Sequence, residues 1–169
     1  GKYILDYLLV PAFLPILLFN WSYIKRNSEL NSDKNHIAII LCNNYVPERM
    51  LVYREDIPKL LKYFKKQGWP YKVYFRTDKN KLQNIIQDKK TSIVYIIGHG
   101  QRHGVKTGKK EMTYYCGFQK SPKKKFIAQL HCNHLGGKSL VEYLLKKPVN
   151  GFVTNKMLSS FGLNKFIDK

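Results

Sequence analysis

The stretch SIVYIIGHGQRHG, from Ser92 to Gly104, begins with an apolar, β-branched segment and ends in two histidines flanked by glycines. A short, uninterrupted apolar segment of this kind is typical of a strand buried on both faces of a sheet. Histidine is the side chain whose ordinary pKa lies closest to neutral pH, so His99 at the end of such a strand can act as an acid or a base, given a partner. The stretch therefore predicts a buried strand that delivers His99 to the edge of a sheet.

Strands and helices alternate along the rest of the chain. Strands are predicted at 36–44, 71–76, 92–98, 125–132 and 149–155, helices at 55–68, 77–90 and 136–147, and a hairpin around Thr107-Gly108. The first two of these helices each place apolar residues on one stripe, with Leu82, Ile85 and Ile86 facing inward in the second. This alternation predicts an α/β fold, a three-layer sandwich in which helices cover both faces of a mostly parallel sheet.

The N-terminal segment is apolar and differs from the rest of the chain. Residues 7–24 carry no charge, and Lys25-Arg26 follow directly. This pattern predicts that residues 1–26 form a membrane anchor helix, with 27–35 as a linker and 36–169 as a domain facing the cytoplasm. An uncleaved signal-like segment and an amphipathic or core-docked helix are the alternatives, and without a spanning helix the protein would be cytoplasmic.

The charge and the cysteines limit the possible partners. A formal net charge of +19, from 30 Lys and Arg against 11 Asp and Glu, attracts anionic partners in general. The lysines form short runs without a recognition pattern, which argues against dedicated nucleic-acid binding by this chain. The three cysteines, Cys42, Cys116 and Cys132, form neither a disulfide framework nor paired metal knuckles, which favours a reducing compartment.

Cys132 is the partner that the sequence offers to His99. The third predicted strand leads to His99 and the fourth ends at Cys132, so adjacent strands would bring imidazole and thiol to the same edge of the sheet. Gly136, Gly137 and a predicted helix follow, and backbone amides there would lower the pKa of the thiol and form an oxyanion hole. A thiolate beside an imidazole is suited to nucleophilic acyl transfer.

The motifs YIIGHG and FIAQLHCNHLGGKSL, in this order and at strand ends, resemble those of the caspase-like cysteine peptidases. The resemblance covers about 36–158 and implies a cysteine endopeptidase that needs no cofactor or metal and acts on a protein or peptide substrate. It implies that Cys132 is the nucleophile, that His99 is the general base or acid, and that the amides of Gly100 and Cys132 form the oxyanion hole. Asn43 and Asn44, after the first strand, are predicted to line the substrate pocket.

The chain departs from the family at the position two residues before the nucleophile. Caspases have a Gln there and metacaspases an Asp, each of which helps to bind the substrate side chain, whereas this chain has Leu130. Strand alternation predicts that the neighbouring Gln129 faces the other side of the sheet. Neither substrate preference can therefore be transferred to this chain.

Other interpretations of the same residues are open. A caspase-like protein without activity would only bind a partner, and Cys132 alone reads as a core cysteine. A zinc site would use His131, Cys132 and His134, completed by Cys42 or His99, although adjacent residues of a strand point apart. His103, His131 and His134 are otherwise predicted to be surface residues beside the site.

Overall fold

The computed structural model describes residues 2–42, 56–108, 111–133 and 135–153, without the side chains of residues 2–13 and 56. Asn43, Asn44 and His134, to which the sequence assigned possible roles, lie outside the described residues.

Helices and strands follow one another in nearly the predicted order. Among the described residues, the helices are α1 (Lys2–Arg26), α2 (Asp56–Lys66), α3 (Lys79–Gln87) and α4 (Leu140–Leu144). The strands are β1 (Glu29–Leu30), β2 (His36–Cys42), β3 (Tyr71–Thr77), β4 (Thr91–Ile97), β5 (Gly100–Gln101), β6 (Gly104–Lys106), β7 (Met112–Tyr114), β8 (Phe126–Leu130) and β9 (Gly151–Val153). Two 3-10 turns cover Tyr115–Phe118 and Pro148–Asn150.

Six strands form the main sheet, in the order β1-β3-β2-β4-β8-β9. All neighbouring pairs are parallel except β1 with β3, which confirms the predicted mostly parallel sheet. β5, β6 and β7 form a separate antiparallel sheet, and β6 and β7 are the predicted hairpin. After β3 the chain crosses to the other side of β2, and a ligand crevice is expected at such a switch point, beyond the carboxyl ends of the strands.

Apolar side chains fill both faces of the main sheet. β2 is buried along its whole length, and its alternate residues contribute to two different clusters. On one face the sheet packs against α1 and α2, and on the other against α3, α4 and the first 3-10 turn. The inward stripe of α3 is confirmed by the burial of Leu82, Ile85 and Ile86. The described residues therefore form a three-layer α/β sandwich.

The C-terminal half of α1 is part of this sandwich. Ile24 is fully buried and Leu17 is 4% exposed, and the Trp21 ring meets the Phe75 ring edge-on at 5.4 Å. Among the described residues, no helix combines the length and the apolar character needed to cross a bilayer. These contacts match the core-docked alternative for this end of the helix.

The segment predicted as a linker, 27–35, also contributes to the sheet. Glu29 and Leu30 form the antiparallel edge strand β1 beside β3, and the Val73 N–H donates to the Ser28 carbonyl oxygen at 2.7 Å. An exposed ion pair between Glu29 and Lys72, 3.1 Å long, lies on the same pair of strands. The polar composition of the segment concealed this pairing because a two-residue strand leaves no hydrophobic period to detect.

The docking of α1 predicts a difference between two isoleucines of the same helix. Ile24→Ala should lower the free energy of unfolding by about 2–5 kcal/mol, because it leaves a cavity in the core. Ile16→Ala should change it by less than about 0.5 kcal/mol, because Ile16 is 52% exposed. Urea denaturation of both variants measures the difference, and equal effects would contradict the docking of α1.

Candidate active site

Sheet register places His99 and Cys132 at matching positions. β4 and β8 are neighbouring parallel strands, and Ile97 pairs with Leu130 at their carboxyl ends. His99 and Cys132 each follow two residues beyond that pair. Since adjacent strands lie about 4.8 Å apart, the register brings the two residues to the same edge of the sheet. The predicted adjacency of the two strands is therefore confirmed.

β4 ends one residue earlier than predicted and β8 ends two residues earlier, and local hydrogen bonds explain the end of β8. The Asn133 side-chain amide donates to the main-chain oxygens of His131, at 2.5 Å, and Gln129, at 3.4 Å. Such side-chain bonds offer the backbone an alternative to the sheet ladder. Cys132 therefore lies on a short bonded loop rather than in the strand itself.

The cysteines differ in their access to solvent. Cys132 is partly exposed, and His99 is exposed at the neighbouring strand end. Cys42 is buried, and burial raises the pKa of its thiol to about 12, which makes it inert near neutral pH. Cys116 is exposed, but it lies on the 3-10 turn after β7. Cys132 is thus the cysteine that a substrate at the strand ends can reach.

Gly100 begins the hairpin of β5 and β6, and its amide is directed away from β6. The Lys106 N–H donates to the His99 carbonyl oxygen at 2.7 Å, and the next pair along is Gly100 with Val105. Bonded and non-bonded pairs alternate in antiparallel strands, so the Gly100 N–H does not point at β6. A Cβ on Gly100 would lie 2.5 Å from the Gly104 oxygen, so only glycine fits here.

The turn of this hairpin, Arg102 and His103, is bonded to the segments around Cys132. The Arg102 guanidinium lies 3.1 Å from Glu142, and the Arg102 carbonyl oxygen accepts from Gln129 Nε2 at 3.0 Å. His103 Nδ1 donates to the Gly136 carbonyl oxygen at 2.7 Å. The hairpin after His99 is therefore bonded to β8, to the loop after Cys132 and to α4.

His131 is buried, so its prediction as a surface residue is wrong. The residue is 1% exposed, its Nε2 lies 2.6 Å from the Tyr115 hydroxyl, and its Nδ1 lies 3.0 Å from the Cys132 carbonyl oxygen. Burial lowers the pKa of His131 to about 4, so the ring is neutral at neutral pH. The two-residue period of a strand was the sequence signal for this burial, because Ile127, Gln129 and His131 point to the same face of the sheet.

Gln129 and Leu130 lie on opposite faces, as alternation predicted. Leu130 belongs to the cluster beneath α1 and α2, whereas Gln129 is fully buried on the other face. Gln129 Nε2 donates to Arg102 and to the Asn133 side chain, and its Oε1 accepts from the Leu140 N–H at 3.0 Å. Since these bonds occupy its amide, Gln129 supports the loops and does not recognise a substrate.

The predicted contribution of a helix dipole to the Cys132 thiol finds no support in the structure. α4 has only five residues, and its first amide, that of Leu140, donates to Gln129. Ser139 and Glu142 form a capping box that uses further groups at this helix end. The amides of Gly100 and Cys132 are therefore the stronger candidates for stabilising an oxyanion.

The zinc alternative also finds no support among the described residues. These residues contain no group of three His, Cys, Asp or Glu side chains placed to hold a metal ion. Both ring nitrogens of His131 are already bonded, which leaves neither available as a ligand.

The burial of His131 predicts a loss of stability in mild acid. The unfolded chain takes up a proton below about pH 6.5, whereas the folded chain does so only near pH 4, so the free energy of unfolding falls as the pH drops between these values. The loss from this group totals about 3 kcal/mol. Urea denaturation of the wild type and His131→Gln at several pH values measures it, and parallel pH profiles would contradict the assignment.

Comparisons of the chain with family models, with curated proteins and with solved structures gave no match in any of the three. The chemistry of the site therefore has to be inferred from the residues that the fold brings together at the ends of β4 and β8.

Proposed function

We propose that this chain is a cysteine peptidase of caspase-like fold, which hydrolyses peptide bonds through His99 and Cys132. The observation that supports it most strongly is the register of β4 and β8, in which both residues lie two positions beyond the pair Ile97 and Leu130. The exposure of both residues at the sheet edge agrees with a role in binding a substrate. The substrate is a protein or peptide, and no cofactor is needed.

The proposed reaction proceeds in two halves. The Cys132 thiolate attacks the carbonyl carbon of the scissile bond, and the amides of Gly100 and Cys132 bind the resulting oxyanion. The imidazolium of His99 gives its proton to the leaving amine as the C–N bond breaks, which leaves a thioester on Cys132. His99 then takes a proton from water, the hydroxide attacks the thioester, and the carboxylic acid and the thiolate are released.

An inactive caspase-like protein that binds a partner is the second candidate. It would keep the same fold and the same hydrogen-bonded loops around Cys132, because neither feature requires catalysis. The partial exposure of Cys132 favours the enzyme, since a binding protein has no need to place a cysteine and a histidine at the ends of neighbouring strands. Nucleic-acid binding is the least favoured function, because the basic residues show no recognition pattern.

We also propose that α1 attaches the protein to a membrane, with the domain on the cytoplasmic side. Leu14, Ile16, Leu18 and Phe19 expose between 39% and 66% of their surface along this helix, although the helix end is docked on the domain. The net charge of +19 adds attraction to anionic lipid. Contact with a lipid surface would cover these apolar side chains.

Flotation with vesicles of phosphatidylcholine and phosphatidylserine tests this attachment. The wild type should float with the vesicles, and Leu18→Ser combined with Phe19→Ser should reduce the bound fraction by about tenfold, because two apolar contacts are lost. Val149→Ser is the matched control, since Val149 is 85% exposed and lies next to the edge strand β9. A wild type that stays in the aqueous layer would refute the attachment.

The proposed peptidase function predicts that covalent labelling of Cys132 depends on both Cys132 and His99. Cys132→Ala should abolish peptide hydrolysis and labelling by a peptidyl acyloxymethyl ketone. His99→Ala should lower kcat/KM by several orders of magnitude, because thiol and imidazole act as a unit. Mass spectrometry of the labelled chain and a fluorogenic peptide library provide the measurements.

Two other cysteines supply the controls. Cys42→Ser and Cys116→Ser should leave the labelling of Cys132 intact, because neither lies at the ends of β4 and β8. A wild-type Cys132 that reacts no faster than free cysteine, with no peptide cleaved, would favour the inactive binding protein instead.

A further inference from the structure

A chain of two hydrogen bonds runs from the interior of the protein to the main chain of Cys132. The Tyr115 hydroxyl bonds to His131 Nε2 at 2.6 Å, and His131 Nδ1 bonds to the Cys132 carbonyl oxygen at 3.0 Å. Tyr115 is fully buried and His131 is 1% exposed, so the hydroxyl and the ring are shielded from water. The proposed mechanism assigns a role to neither residue.

The bonding partners determine which ring nitrogen carries the proton. A carbonyl oxygen can only accept, so His131 Nδ1 must carry a proton and donate it in the hydrogen bond to the Cys132 carbonyl oxygen. With one proton on a neutral ring, Nε2 accepts from the Tyr115 hydroxyl. Burial raises the pKa of Tyr115 and lowers that of His131, so both groups keep these protonation states at neutral pH. The two bonds therefore run in one direction, from Tyr115 to Cys132.

The same ring also contacts the other half of the proposed oxyanion hole. A Cβ added to Gly100 would lie 2.8 Å from His131 Nδ1 and 3.0 Å from Cε1, so the ring packs directly against the Gly100 backbone. Gly100 and Cys132 follow different strands, and their amides must keep a fixed separation to bind one oxygen atom. The His131 ring contacts both segments, since it packs against Gly100 and bonds to the Cys132 carbonyl oxygen.

We propose that Tyr115 and His131 are positioning residues, which hold the main chain of Cys132 and Gly100 in the geometry that the reaction requires. The inference rests on the proposed peptidase function. Tyr115 holds the imidazole in the tautomer that donates to Cys132, and the imidazole in turn orients the peptide unit after the nucleophile. Neither residue touches the substrate.

Another tyrosine–histidine pair in the same domain provides a matched control. The Tyr74 hydroxyl lies 3.1 Å from His36 Nε2, and His36 is 4% exposed. His36 is the first residue of β2, at the opposite end of the strands from His99. Tyr74→Phe therefore removes the same kind of bond without changing the candidate active site.

The experiment compares Tyr115→Phe with Tyr74→Phe in the full chain. For each variant, the rate of Cys132 alkylation by iodoacetamide is measured against pH, together with kcat, KM and the midpoint of urea denaturation. Tyr115→Phe should lower kcat and the alkylation rate by about tenfold or more, with KM nearly unchanged, because a small displacement of the nucleophile is costly. Tyr74→Phe should leave both rates unchanged.

Two substitutions of His131 separate positioning from packing. The side-chain amide nitrogen of Asn falls near the position of Nδ1, and that of Gln near Nε2, so only His131→Asn keeps a donor close to the Cys132 carbonyl. His131→Asn should retain more activity than His131→Gln at equal folded fraction. If both variants lose activity only in proportion to lost stability, the role is structural and the inference is overturned.

The outcomes also separate this inference from the proposed function. A wild type that cleaves no peptide, but whose Cys132 alkylation slows with Tyr115→Phe and not with Tyr74→Phe, would overturn the function and support the positioning role. A wild type that cleaves peptides, with Tyr115→Phe and Tyr74→Phe equally active, would support the function and overturn the positioning role.

Discussion

The parallel pairing of β4 with β8 is the constraint on which the candidate site depends. Its register aligns Ile97 with Leu130, and the two residues proposed for catalysis follow at equal distances beyond that pair. A shift of one residue in this register would move the side chains of one strand to the other face. The buried apolar residues on both faces of the sheet prevent such a shift, so the packing of the core also fixes the site.

Hydrogen-bonded polar side chains also fix the positions of the loops that follow these strands. Gln129 and His131 are buried, and both find partners in neighbouring loops, which avoids the cost of unpaired polar groups in the interior. Arg102 and His103 bond to the same loops from the outer side. The loop after Cys132 is thus held by Gln129 on β8 and by the hairpin of β5 and β6, while Tyr115 bonds to His131 just before Cys132. An enzyme needs a nucleophile held in this way before its substrate arrives.

Local patterns in the sequence were sufficient for the architecture but not for the arrangement of the site. Hydrophobic period and turn residues predicted the helices, the parallel sheet and the hairpin, because burial in a three-layer fold repeats at regular spacing. The docking of Ile24 was foreseen only as an alternative to the membrane anchor, and the pairing of Glu29–Leu30 escaped prediction, since both depend on contacts with residues far along the chain. The strand period of Ile127, Gln129 and His131 carried a signal for the burial of His131, but its bond to Tyr115, which follows a different strand, could not be predicted.

A crystal structure of the protein with a peptide aldehyde bound to Cys132 would test the central claim most directly. The aldehyde forms a thiohemiacetal whose oxygen occupies the position of the oxyanion. We expect that oxygen to lie within about 3.2 Å of the Gly100 and Cys132 amide nitrogens, with the His99 imidazole beside the sulfur. An oxygen directed to solvent, or a His99 ring turned away from Cys132, would contradict the account.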